Sequence, residues 1–114
     1  MTGPNRFERA YKLHTESGVQ AFLNDYSRLA EARFYASDYQ ISDFLLDFHL
    51  AFKKALTERQ RQVIELTYFK DMRQVDVGKA LNLTQQTVQE HTKKAIKNLA
   101  TYHMLIRHKD SECE

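Results

Sequence analysis

Residues that make turns and cross-links are scarce in this sequence of 114 residues. It contains three glycines, one proline, one cysteine and no tryptophan. β-Sandwiches and β-barrels need frequent turn residues, so this scarcity predicts an all-α fold. The single cysteine, Cys113, excludes a disulfide framework within the chain.

Long apolar runs are also missing. No stretch approaches the roughly 20 consecutive apolar residues of a membrane span, and the opening MTGPNRFER lacks the apolar core of a secretory signal. Hydrophobic residues make up 42% and charged residues 28% of the chain, which is typical of a globular domain. We therefore expect a soluble, cytoplasmic protein with no membrane partner.

Patterns that carry catalysis or bind metal are not found in the sequence. The five histidines do not have the paired helical spacing of a zinc site. No glycine-rich phosphate loop and no Ser/His/Asp or Cys/His arrangement is recognisable. We expect no catalytic residues, no metal and no cofactor, and therefore no enzyme.

Charge is distributed unevenly. Residues 1–56 carry equal numbers of basic and acidic side chains, whereas residues 57–109 carry ten basic and five acidic ones, a net charge of +5. Three acidic residues of the tail (residues 108–114), Asp110, Glu112 and Glu114, bring the total down to +2. A basic C-terminal half favours a polyanionic partner.

Apolar residues recur at helical spacing through the N-terminal half. The pattern predicts a short helix over residues 5–17 that Gly18 interrupts, and a second helix of about four turns from residue 19. Ser37 or Asp38 is the predicted N-cap of a phenylalanine-rich third helix that continues to residue 56. This segment, residues 1–55, either completes the core or provides an interaction or dimerisation surface.

The C-terminal half predicts a helix-turn-helix. Thr57 and Gln60 fit a capping box at the start of one helix. A short helix over residues 74–81, a tight connection and a last helix capped by Thr84 follow. Apolar spacing extends that last helix to residue 106.

The second helix of such a motif enters the major groove of duplex DNA. Its outward polar side chains suit base recognition, and the lysines further along suit phosphate contact. The predicted base-contacting residues are Gln85, Gln86, Gln89, Glu90 and Lys93. The predicted phosphate-contacting residues are Arg73, Thr84, Thr87, Lys94 and Lys97.

Residues 56–100 resemble region 4, the C-terminal domain of bacterial sigma factors. The matching features are the opening Leu-Thr-Glu-Arg-Gln, the Val-Ile-Glu-Leu run followed by Tyr-Phe, Asp-Val-Gly where the family has Glu-Ile-Ala, and Leu83-Thr84 before Thr87-Val88. Quorum-sensing response regulators share Thr-Val-x-x-His, but have one residue fewer near residues 68–72. The spacing therefore favours the sigma-like interpretation, with residues 56–107 as the DNA-binding domain.

The resemblance implies binding to the −35 promoter element and to RNA polymerase. Glutamine and glutamate stand where primary sigma factors use arginine at two base-contacting positions, which implies a different DNA target. The first 55 residues do not resemble a promoter-melting domain, so we expect no promoter melting by this chain alone. The likeness is greatest to small sigma-like regulators of phages and prophages.

Three other hypotheses remain open at this stage. The protein is a dimeric repressor or activator without polymerase contact, a non-DNA-binding adaptor of the anti-sigma type, or a phage packaging subunit. A homodimer would pair the apolar stripes within residues 19–56 and 99–106. The same stripes also fit packing within one chain.

Overall fold

The computed structural model of the protein describes residues 11–36 and 39–112, which form five α-helices and contain no strand. This confirms the predicted all-α fold. Within these two ranges, no helix combines the length and the apolar character needed to cross a membrane. The helices are α1 (Glu16–Ala36), α2 (Tyr39–Ala55), α3 (Glu58–Ile64), α4 (Gln74–Leu81) and α5 (Gln85–Glu112).

Helix α1 corrects the predicted start of the second helix. It begins at Glu16, so Gly18 lies inside the helix and does not interrupt it. Thr15 caps it, because its hydroxyl oxygen accepts a hydrogen bond from the Gly18 N–H at 3.0 Å. A side chain at Gly18 would collide with the backbone carbonyls of Tyr11 and Lys12, so close packing of the preceding turn requires this glycine.

Two other predictions on the N-terminal half fall where little is described. Residues 5–10 of the predicted first helix and the predicted caps Ser37 and Asp38 lie outside the described residues. The described remainder corrects the prediction, because residues 12–15 are not helical and residues 16 and 17 already belong to α1. The predicted phenylalanine-rich third helix is confirmed and corresponds to α2.

The predicted second helix corresponds to α1. It has 21 residues and is therefore longer than the four turns predicted from its apolar spacing.

The main core is a cluster of aromatic and aliphatic side chains, here called the aromatic cluster. Phe22 of α1 and Phe48 of α2 are fully buried, with ring centroids 4.5 Å apart. Ile64 of α3 and Leu99 of α5 belong to the same cluster. Helices from both halves of the sequence therefore share one apolar core.

The end of α3 packs directly against α1. After Ile64 the backbone continues as a π-helical turn, Glu65–Phe69. The Phe69 ring stacks on Tyr26 with centroids 4.1 Å apart, and the Tyr68 hydroxyl accepts a hydrogen bond from the Gln20 amide at 2.9 Å. These contacts fix the N-terminal helices to the segment that precedes the helix-turn-helix.

A second, smaller cluster lies inside the helix-turn-helix and is here called the valine cluster. It consists of Val63 of α3, Val77 of α4 and Val88 of α5, all fully buried. Partly buried Leu66, Met72, Leu81 and Leu83 surround it. This cluster positions α5 against α4.

Candidate nucleic-acid interface

Helix α3 begins with the capping box that the sequence predicts. The Gln60 N–H donates to the Thr57 hydroxyl and the Thr57 N–H donates to the Gln60 side chain, both at 3.2 Å. The same side-chain oxygen of Gln60 accepts a hydrogen bond from the Asn98 amide at 3.3 Å. The cap of α3 is thereby tied to α5, the helix that carries the candidate interface.

Helix α4 spans the predicted residues, Gln74–Leu81. It ends at Asn82, whose φ of 58° is left-handed, and the next N–H, that of Leu83, donates to the Gly78 carbonyl at 2.7 Å. A Cβ atom at Gly78 would lie 2.6 Å from the Leu83 carbonyl oxygen. The turn therefore passes too close to α4 for any residue other than glycine at this position without a backbone shift.

Thr84 caps α5 as predicted. Its hydroxyl oxygen accepts a hydrogen bond from the Thr87 N–H at 3.1 Å, and its carbonyl accepts one from the Val88 N–H at 3.0 Å. The hydroxyl groups of Thr84 and Thr87 also bond each other at 2.8 Å. Thr84, the residue directly before α5, therefore holds the first turn of the helix in place.

All five predicted base-contacting side chains lie exposed at the start of α5. The buried face of the same helix is formed by Val88, Ala95 and Leu99. His91 is half-buried beside this face. Thr92 is also buried, and its hydroxyl donates to the Val88 carbonyl at 2.9 Å. The exposed residues are Gln85, Gln86, Gln89, Glu90 and Lys93.

The predicted phosphate-contacting residues surround this face. Lys94 and Lys97 are exposed on the following turns of α5, and Thr87 is half-buried. Arg73 precedes α4, and its side chain is 84% exposed although its guanidinium pairs with the Asp76 carboxylate at 2.9 Å. Exposed pairs of this kind contribute little free energy, so the guanidinium can exchange this partner for a phosphate.

One residue of the site escaped the sequence prediction. The Gln89 side-chain N–H donates to the side-chain oxygen of Gln74, the first residue of α4, at 3.1 Å. Two glutamines 15 positions apart carry no sequence signal of contact until the two helices are packed against each other. In the described part of the chain, no group of three or more side chains is arranged to hold a metal ion.

Residues 54–101 match the family model for sigma-70, region 4. This segment is a sigma region 4-like helix-turn-helix domain, as the sequence resemblance predicts. The match includes α3, the π-helical turn, α4 and the first 17 of the 28 residues of α5. Comparison of the chain with curated proteins and with solved structures gave no match.

Proposed function

We propose that this protein regulates transcription by placing the start of α5, from Thr84 to Lys97, in the major groove of duplex DNA. Sigma region 4 is a DNA-binding domain family, so the domain assigns the protein to DNA-binding regulators of the helix-turn-helix type. The finer proposal is carried by one observation. A single exposed face of α5 presents Gln85, Gln86, Gln89, Glu90 and Lys93 immediately after the Thr84 cap.

These side-chain types match the edges of bases in the major groove. A glutamine amide pairs with adenine through two hydrogen bonds, a glutamate accepts from the amino group of cytosine, and a lysine donates to guanine. The groove is about 12 Å wide and admits one α-helix. We therefore assign base recognition to the five exposed residues.

Phosphate contact is assigned to the residues around that face. The hydroxyl groups of Thr84 and Thr87 share one hydrogen bond, which leaves one hydroxyl hydrogen free to donate to a phosphate oxygen. The N–H groups of Gln85 and Gln86 have no partner within the helix, as at any helix N-terminus, and favour an anion. Lys94, Lys97 and Arg73 supply the positive charge.

Contact with RNA polymerase is the second element of the proposal. Region 4 domains of sigma factors bind DNA and RNA polymerase. A regulator that combines both contacts would recruit polymerase to promoters carrying its own target sequence. Its target differs from the housekeeping element, because glutamine and glutamate occupy the base-contacting positions.

A homodimer without polymerase contact is the second candidate function, and a specific observation favours it. Large apolar side chains are exposed on α2 and near the end of α5, where a second chain would cover them. A dimer would recognise two half-sites about one turn of DNA apart. The exposed side chains are Leu46, Leu50, Met104, Leu105 and Ile106.

Selection of bound duplexes from a random library tests these functions. The selection is run at moderate salt with the full chain alone, and again with RNA polymerase added. A motif obtained with the chain alone establishes sequence-specific binding, and a two-fold symmetric motif supports the dimer. Enrichment only in the presence of polymerase supports the sigma-like mode.

Variants connect the selected motif to α5. Gln86→Ala is expected to weaken binding to the selected motif by about 1 to 3 kcal/mol and to relax the preference at one position. The matched control is Glu31→Gln, at an exposed position of α1, which is expected to leave binding unchanged. No enrichment under either condition contradicts DNA recognition and favours a protein-binding adaptor.

A further inference from the structure

We propose that Gln74 is a positioning residue that holds the side-chain amide of Gln89 in the orientation that selects adenine. This inference rests on the proposed function, because it assumes that Gln89 faces a base. The supporting contact is the hydrogen bond of 3.1 Å from the Gln89 N–H to the side-chain oxygen of Gln74. This bond links a predicted base-contacting side chain of α5 to the first residue of α4.

The chemistry of the amide determines what Gln89 presents to DNA. A glutamine side chain has one acceptor oxygen and two N–H hydrogens. The bond to Gln74 uses one of the two hydrogens, so the oxygen and the second hydrogen remain available to DNA. Adenine offers the complementary pair in the major groove, an N7 acceptor beside an N6 donor.

Gln74 matters because the last torsion of a glutamine side chain is only weakly restricted. Terminal sp³–sp² torsions are broad and roughly two-fold, so an unheld amide turns over at little cost. In the reversed orientation or a tilted one, its N–H groups can donate to guanine and its oxygen can accept from cytosine. Holding one N–H on Gln74 disfavours those orientations, since each of them breaks the bond between the two glutamines.

The position of Gln74 suits this role. Its side chain is half-buried at the start of α4, whereas Gln89 is exposed. The close turn at Gly78 and the valine cluster fix α4 against α5, so the acceptor oxygen is carried on a rigidly placed helix. Of the five predicted base-contacting residues, Gln89 is the one held in this way by another helix.

The test compares the base preferences of four variants with those of the full-length wild type by selection from a random duplex library. Gln74→Ala removes the acceptor and is expected to reduce the adenine preference at one position by about 5- to 150-fold. Preferences at the other positions are expected to stay the same. Gln74→Glu keeps an acceptor, so adenine should remain preferred although the added negative charge weakens binding to all duplexes.

The remaining two variants separate orientation from general packing. Gln74→Lys offers only donors, so the Gln89 oxygen turns toward the lysine and its N–H groups face the base. The preference at that position should then move toward guanine, which presents two acceptors. Val75→Ala is the matched control, because Val75 is the next residue of α4 and its side chain is 45% exposed.

The outcomes distinguish this inference from the function on which it rests. If wild type selects a motif with an adenine whose preference Gln74→Ala leaves unchanged, the positioning role is wrong and DNA recognition stands. Equal losses at every position, or a motif without adenine, also overturn the positioning role. If wild type selects no motif at all, the proposed function itself fails.

Discussion

The aromatic cluster and the valine cluster differ in size and in what they hold in place. The aromatic cluster packs Phe22, Phe48 and their neighbours from α1, α2, α3 and α5, while the buried core of the helix-turn-helix consists of three valines. Burial of apolar area is the main source of folding free energy, so most of it comes from the aromatic cluster. The N-terminal helices thus supply stability to a segment whose own core is small.

The helix-turn-helix is positioned by contacts of a different kind. The close approach at Gly78, the Thr84 cap and the bond between Gln74 and Gln89 are short-range and directional. These contacts set the position of α5 relative to α4, and they contribute less to the stability of the fold. Substitutions in the aromatic cluster should therefore lower stability, whereas substitutions at the contacts of the helix-turn-helix should alter DNA recognition.

The largest effect is expected from Phe48→Ala in the aromatic cluster. Its ring is fully buried, so truncation leaves a cavity and should lower the free energy of unfolding by about 3 to 5 kcal/mol. Val77→Ala in the valine cluster removes only two methyl carbons and should cost about 2 kcal/mol. Urea denaturation measures both, and an equal or larger loss for Val77→Ala would contradict the division of roles.

The second expected effect is a loss of stability at mildly acidic pH caused by His103. Burial, together with the smaller effect of nearby His14, lowers the pKa of His103 from 6.5 to about 4. Neither ring nitrogen has a hydrogen-bond partner among the described residues. Between those two pH values the unfolded chain binds a proton that the folded chain does not, so stability falls as the pH drops from 6.5 to 4.

The free energy of unfolding should fall by at most about 3 kcal/mol at low pH. The actual loss should be smaller, because the His103 ring is partly exposed to water. Urea midpoints measured between these pH values in wild type and in His103→Leu test this effect. The variant should lose part of the slope. Identical slopes would exclude His103 as its source.

Gly78→Ala is expected to have a smaller effect on stability and a clear one on DNA binding. Alanine gains about 1 kcal/mol of helix propensity, but its Cβ would lie 2.6 Å from the Leu83 carbonyl and force the turn to move. We expect a net loss of about 1 to 2 kcal/mol and weaker binding to the selected duplex. Thermal unfolding and DNA titration measure the two effects.

The control for Gly78→Ala lies on the same helix. Ala80→Gly, at an exposed position, costs only propensity, about 1 kcal/mol, and should leave DNA binding unchanged. A Gly78→Ala variant that is more stable than wild type and binds DNA normally would show that the close approach is unimportant.

The smallest effect on stability is expected from Lys94→Ala and Lys97→Ala. Both side chains are exposed, so the free energy of unfolding should change by less than about 0.5 kcal/mol. Each variant should bind every duplex more weakly and reduce the slope of log affinity against log salt by about 0.9. Lys54→Ala, on α2, should keep the wild-type slope, and an unchanged slope in the α5 variants would remove these lysines from the interface.

Local sequence signals sufficed where a short motif determines the structure. The Thr57 capping box, the bounds of α4 and the Thr84 cap depend on residues within four positions of each other, so spacing alone predicts them. The early start of α1 was missed because Thr15 caps the helix across Gly18. From the sequence alone, a glycine that ends a helix cannot be told from a glycine inside a helix that lets another backbone segment pack closely.

Contacts between residues that are far apart in the sequence could not be predicted from it. Apolar spacing shows that α1 and α2 have buried faces, but it does not show that Tyr26 stacks on Phe69. It does not reveal the bond between Gln74 and Gln89 either, because both are ordinary polar surface residues in the sequence. Such pairs depend on how the helices pack, which the periodicity of one helix does not specify.

The central claim is that DNA contacts the start of α5, and amide chemical-shift mapping during titration with the selected duplex tests it most directly. We expect the largest shifts at residues 84–97 and at the start of α4, with little change at Leu46 and Leu50 on the exposed face of α2. Shifts concentrated on α2, with residues 84–97 unaffected, would contradict the account.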